Sequence, residues 1–158
     1  KRKFLNVKKI IEVSHNKSSV KIIPNNQFSI DFEIDFPSKV VSRQSCQLQL
    51  INGNYKSDIA SARTFGFEKD VDTLRSNGLA LGGSLDNAVV VGDNKILNKD
   101  GLRFKDEFVR HKILDSIGDL YLAGAPIQGY FYGNKSGHYL NNLLLKSLFS
   151  DENNYEYI

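Results

Sequence analysis

The stretch FVRHKILDSIGDL, residues 108–120, carries His111 and Asp115 four positions apart. On a helix that spacing stacks two side chains on one face, as a pair of metal ligands requires. Asp119 extends the stripe by another turn. A catalytic zinc usually takes three protein ligands plus water, so the pair is at most part of a site. The same spacing suits an ordinary intrahelical His–Asp pair on a solvated face. Geometry permits a metal here without demanding one.

A second constellation is NKSGH, residues 134–138. His138 falls in the first turn of a following helix, where the positive end of the helix dipole disfavours an imidazolium. A histidine that donates a proton must first be charged, and a neighbouring carboxylate restores the charged form. Asp119, on the facing helix, is the candidate for that role. The plainer alternative is a surface histidine at a helix start. The chain has three histidines; the remaining one, His15, sits in the polar turn VSHNKSS. Cys46, in a strand with polar neighbours, reads as structural. There is no GxGxxG, Walker loop, HExxH or CxxC pair. The paired glycines of GLALGGS read as close backbone packing.

Composition narrows the class. At 158 residues, with 41% hydrophobic and 25% charged, the chain has the make-up of one globular domain. A net charge of +3, scattered after Lys1-Arg2-Lys3, is not the basic stripe of a nucleic-acid binder. No run approaches the ~20 apolar residues of a membrane helix, and no signal-peptide core follows the basic start. A single cysteine excludes an internal disulfide and fits a reducing, cytoplasmic compartment. Methionine is absent, so Lys1 is expected to follow a further segment.

The elements that must position these residues are an antiparallel sheet and two helices. Phe4–Val13, Ser19–Ile23 and Ser45–Ile51, the last ending before the turn NGN, read as strands. QFSIDFEIDFP alternates apolar and polar residues with a period of two, placing Phe28, Ile30, Phe32, Ile34 and Phe36 on one face. ARTFGF, the helical EKDVDTLRSNG closed by Gly78, and the apolar AVVV form a small βαβ insertion at residues 63–95. AVVV is expected to be buried on both sides. A helix over 104–122 turns Leu114, Ile117 and Tyr121 to the core, flanked by Ile113 and Leu120. A second helix starts near Ser136 as N-cap and runs through LNNLLLKSLF, and the tail DENNYEYI is expected to fray. The fold class is α+β, a two-layer sandwich of mainly antiparallel sheet on two helices.

ARTFGF, GLALGGSLDNAVVV, LRFKDEFVRHKILDSIGDLYLAG and KSGHYLNN occur in an order and spacing that closely resemble the second half of a known family. That family is the bacterial zinc-dependent UDP-3-O-acyl-N-acetylglucosamine deacetylase of lipid A biosynthesis in Gram-negative organisms. The resemblance runs from Phe4 to Phe149. It implies two similar α+β domains with the active site between their helix layers, this chain being the C-terminal one and the first domain absent. It implies that His111 and Asp115 bind Zn2+, and that the absent domain adds a histidine ligand and the glutamate base. It further implies that Asp119 holds His138, which stabilises an oxyanion and protonates the leaving amine, while Thr64 assists at the carbonyl.

The same resemblance places Lys112 at the substrate cleft, and Phe36 and Lys135 at the nucleotide and its phosphates. Phe65, Val71 and Ala80 would wall a passage for the acyl chain. The implied reaction hydrolyses the N-acetyl group of UDP-3-O-(3-hydroxyacyl)-N-acetylglucosamine and releases acetate. This chain alone is expected to be inactive, with an apolar helix face awaiting the absent domain. Neither nucleic acid nor stable membrane insertion is expected. The alternative is a non-catalytic module that binds a lipid-bearing nucleotide sugar, although binding alone does not need zinc ligands.

Overall fold

The computed structural model describes residues 2–51 and 53–158. Lys1 of the basic start and Asn52 of the NGN turn lie outside the described residues. Strands β1 (Leu5–Val7), β2 (Ile11–His15), β3 (Ser18–Ile23), β4 (Phe28–Asp35) and β5 (Arg43–Gln49) come first. A short α1 (Asn54–Asp58) leads to β6 (Thr64–Phe67), α2 (Val71–Ser76) and β7 (Ala88–Val91). Then follow α3 (Glu107–Leu120), β8 (Ile127–Asn134), α4 (His138–Leu148) and β9 (Tyr155–Tyr157).

Among the described residues, β8 is the hub of a seven-stranded sheet. It runs antiparallel to β3 and parallel to β4 and β1, while β2–β3, β4–β5 and β1–β9 are antiparallel pairs. The period-two pattern of β4 puts Ile30, Phe32 and Ile34 in the core, where Phe32 stacks on Phe131 of β8. Opposite Phe32 the strand carries Gly133, because a Cβ there would collide with the Phe32 ring. Helix α3 lies against β4, β5 and β6, and α4 against β2 and β3. The two helices touch each other, so the fold is a helix layer on a sheet layer. None of the described helices is long and apolar enough to cross a membrane.

The βαβ insertion forms as the sequence suggests. Strands β6 and β7 pair in parallel across α2, and Gly78 takes the left-handed backbone (φ +73°) that ends the helix. In β7, Val89 and Val91 are buried while Ala88 and Val90 are half-buried, so only one face is fully covered.

Four further details differ from the expectations. The core side of α3 is Phe108, Val109, Ile113, Ile117 and Leu120, with Leu114 half-buried and Tyr121 62% exposed. Tyr121 lies past the helix in a 3-10 turn, where the 100° period no longer applies. Gly137, not Ser136, is the N-cap of α4; Ser136 is buried and its hydroxyl makes no cap bond. The glycines of GLALGGS do not mediate close packing: Gly82 faces open space, and a Cβ on Gly83 would meet only Ala80. The tail does not fray either. Tyr155–Tyr157 pairs with β1, and Phe4 and Ile158 exchange both backbone hydrogen bonds at 3.0 Å. Glu156 takes hydrogen bonds from Asn6 and Lys8, so its polarity serves the strand edge rather than solvent.

One buried carboxylate ties the insertion to the helix layer. Glu107, 0% exposed, accepts from the backbone N–H and the Nε of Arg63 at 2.9 Å. It also accepts from a terminal guanidinium nitrogen of Arg63 at 3.1 Å and from the Arg103 N–H at 2.7 Å. Burial pushes the Glu107 carboxyl up, but the hydrogen bonds from Arg63 and Arg103 outweigh burial and hold it below its ordinary value. A carboxyl with a lowered folded pKa stabilises the fold above its unfolded pKa, and that contribution fades as pH falls through the folded value. Glu107→Ala, which strands the Arg63 guanidinium, should therefore cost about 3–5 kcal/mol near pH 7. In denaturant titrations at a series of pH values, its deficit against the parent should shrink below pH ~4. A deficit that stays constant with pH would contradict the ionic role.

Candidate active site

Helix α3 carries Glu107, His111, Asp115 and Asp119 at four-residue intervals, one stripe along one face. The Glu107 clamp holds residues 61–63 against the first turn of α3, and Arg103 adds a hydrogen bond to the Ser61 carbonyl at 2.8 Å. One turn further on, His111 Nδ1 lies 3.0 Å from the Ala62 carbonyl oxygen. A carbonyl can only accept, so Nδ1 carries the proton and, in the neutral ring, Nε2 carries the lone pair.

That lone pair faces Asp115 Oδ1 at 3.3 Å. Two acceptors at this range repel unless a proton or a cation lies between them. A tetrahedral ion with bonds of about 2.0–2.2 Å keeps its ligands roughly 3.3–3.5 Å apart. The imidazole and carboxylate therefore fit two corners of a zinc site, and the backbone carbonyl on Nδ1 is the usual outer partner of a metal-ligating histidine. Among the described residues there is no group of three histidine, cysteine, aspartate or glutamate side chains that could hold a metal. His15 is exposed in β2 against Tyr139, with ring centroids 5.6 Å apart, and Cys46 is half-buried in β5.

His138, in the first turn of α4, has Nδ1 2.7 Å from Asp119 Oδ2. A carboxylate accepts, so Nδ1–H donates, and Nε2 is left toward Asp115, 3.8 Å from its Oδ2. The His138 side chain is 69% exposed, so Nε2 is open to a ligand. Lys112 lies beside this pair. Burial lowers the pKa of its ammonium, while Asp115 and Asp119 pull the other way.

The remaining candidates fall into two further places. Thr64 is exposed at the start of β6, two residues beyond the Ala62 carbonyl that meets His111. Phe36 contacts Phe65 and Phe67, with centroids 5.6 and 5.8 Å apart, and Phe65 contacts Phe108 at 4.9 Å. This aromatic run connects the end of β4 to the insertion and to α3. Lys135 has a left-handed backbone (φ +53°) held by its N–H on the Glu33 carbonyl, with Ser18 donating to its own carbonyl. Its Nζ donates to Asp35 at 2.8 Å. Val71 is half-buried at the start of α2, and Ala80, also left-handed (φ +53°), is exposed in the loop after it. Neither belongs to the His111–His138 group. Nearby, a cavity of about 560 Å³ lies between Phe36, Lys39, Phe67, Lys69 and Gly92.

Sequence reasoning missed four members of the network: Arg63, Glu107, Ser116 and Asn141. The stripe itself held the signal for Glu107, four residues before His111. Ser116 and Asn141 look like filler until the packing of α3 on α4 brings them together.

The geometry defines a class: a histidine and an aspartate one turn apart on one helix, spaced as two corners of a metal site, beside an aspartate–histidine pair shared between that helix and the next. Comparison with known proteins gives the family. Residues 1–150 match the family described as LpxC: UDP-3-O-acyl N-acetylglycosamine deacetylase, and the chain belongs to it. The UDP-3-O-acyl-N-acetylglucosamine deacetylase of Psychrobacter cryohalolentis is 48% identical over 99% of this chain and 50% of its own length. Those of Syntrophus aciditrophicus and Campylobacter fetus are each 48% identical over 98% and 99% of this chain, and 49% and 53% of theirs. The chain thus spans about half the length of the curated relatives it matches.

Hydrogen bonding and charge from Lys135 hold the Asp35 carboxyl below its ordinary value. Lys135→Ala should let the Asp35 midpoint rise toward the ordinary aspartate value, read by NMR titration of its side-chain carbon. An unmoved midpoint would mean that the pair does not persist in solution.

Proposed function

We propose that this chain is the C-terminal half of a zinc-dependent deacetylase that hydrolyses the N-acetyl group of UDP-3-O-(3-hydroxyacyl)-N-acetylglucosamine. The observation that carries the reading is the His111 Nε2–Asp115 Oδ1 separation of 3.3 Å, with the tautomer of His111 set by the Ala62 carbonyl. Membership of a family named for this deacetylation supports it. The other half of the protein supplies a third ligand and the general base, so this chain alone is inactive. The reaction belongs to lipid A biosynthesis in the cytoplasm.

His111 and Asp115 would hold the zinc, which when bound acts as a Lewis acid on a carbonyl and acidifies water. The chain's own groups account for the rest. His138 presents Nε2 while Nδ1–H stays on Asp119, so the charged ring can stabilise a developing oxyanion and then release its Nε2 proton to the departing amine. The carboxylate on Nδ1 supports the positive ring. Thr64 would donate its hydroxyl to the same oxygen. Lys112, and Lys135 once freed from Asp35, favour a substrate that carries phosphates. The apolar lining of the insertion, with Phe65, Val71 and Ala80, takes the acyl chain.

In a protein of the relatives' full length, His111→Ala or Asp115→Ala should cut acetate release more than ~100-fold, beyond the loss typical of outer-shell changes. This chain alone should release none. A parent-like rate from the isolated chain would show that the base resides here and would overturn the division of roles.

A further inference from the structure

We propose that Asn141 is a positioning residue that holds the Asp119 carboxylate and, through it, the His138 ring. The proposal rests on the reading that His138 Nε2 is the working nitrogen. Asn141 sits one turn after His138 on α4 and is 0% exposed. Its Nδ2 donates to Asp119 Oδ2 at 2.8 Å, the same oxygen that receives the His138 Nδ1–H at 2.7 Å. One carboxylate oxygen thus takes two donors from successive turns of α4.

The direction of the amide is determined by its neighbours. Ser116 donates its own proton to the Lys112 carbonyl at 2.9 Å, so its hydroxyl oxygen can only accept from Asn141, at 3.3 Å. Nδ2 faces both acceptors and Oδ1 points away, buried and with no hydrogen-bond partner among the described residues. A stranded buried acceptor is a cost that leucine, of similar size, would not incur. What the position gains from asparagine is its donor to Asp119. His138, at 69% exposure, is not fixed by packing, and an exposed ion pair alone holds its geometry weakly. The buried amide supplies the fixed point. It orients Asp119, which commits Nδ1–H and leaves Nε2 facing the Asp115 side.

The test uses this chain with nitrogen-15 in its histidines. With three histidines in the sequence, His15 and His111 serve as internal references. At a pH where the rings are neutral, the parent should show His138 as a single Nδ1–H tautomer. Asn141→Leu should lose that signature in favour of a mixture, while melting no earlier than the parent and leaving His15 unmoved. Asn141→Ala, which also lacks the donor, should lose the signature too. Ser116→Ala, which removes only the longer contact, should retain the signature.

An unchanged His138 signature in a folded Asn141→Leu or Asn141→Ala chain would overturn the proposal. Loss of the fold in both would do so too, because Asn141 would then be a structural residue. No metal or substrate enters this measurement. Its failure is therefore distinct from failure of the deacetylase reading, which the full-length activity assay decides.

Discussion

The His111 side of the candidate site hangs on the carboxylate of Glu107. It is fully buried and accepts four hydrogen bonds, three of them from Arg63. A buried charge is tolerated only when it is paired and hydrogen-bonded, so the chain around 61–63 has little freedom to move. That constraint brings the Ala62 carbonyl to His111. The clamp adds a polar anchor to the Phe65–Phe108 contact that also ties the insertion to α3. With it, a backbone carbonyl selects which nitrogen of His111 is open.

The second determinant is the crossing of α3 and α4. The stripe of Glu107, His111, Asp115 and Asp119 runs beside the apolar side of Phe108, Val109, Ile113, Ile117 and Leu120, which packs on the sheet. Where α4 meets that stripe it adds His138 and Asn141, and both bind one oxygen of Asp119. The two histidines then present Nε2 toward the same carboxylate, Asp115, from different helices. The His111–Asp115 pair and the His138–Asp119 pair are thus adjacent but have separate hydrogen-bond supports.

The repeating features of this fold were legible in the sequence. The period of two in FSIDFEID, the βαβ order of the insertion and the four-residue stripe on α3 each express a local rule and each appears in the structure. What escaped was set by distant partners. The tail is polar because Glu156 serves Asn6 and Lys8 across a strand pair that joins the two ends of the chain. The cap of α4 is Gly137 because Ser136 is drawn into the interior. Tyr121 left the core stripe where the helix tightened into a 3-10 turn. Arg63, Ser116 and Asn141 have no local pattern at all, since their roles exist only once two elements meet.

The measurement that tests the central claim most directly is metal affinity of the purified chain, by zinc competition against a chromophoric chelator, alongside Asp115→Ala. Two ligands with a fixed tautomer should bind zinc weakly, and Asp115→Ala should abolish that binding. Zinc binding indifferent to Asp115→Ala would remove the metal from α3, and the deacetylase half-site with it.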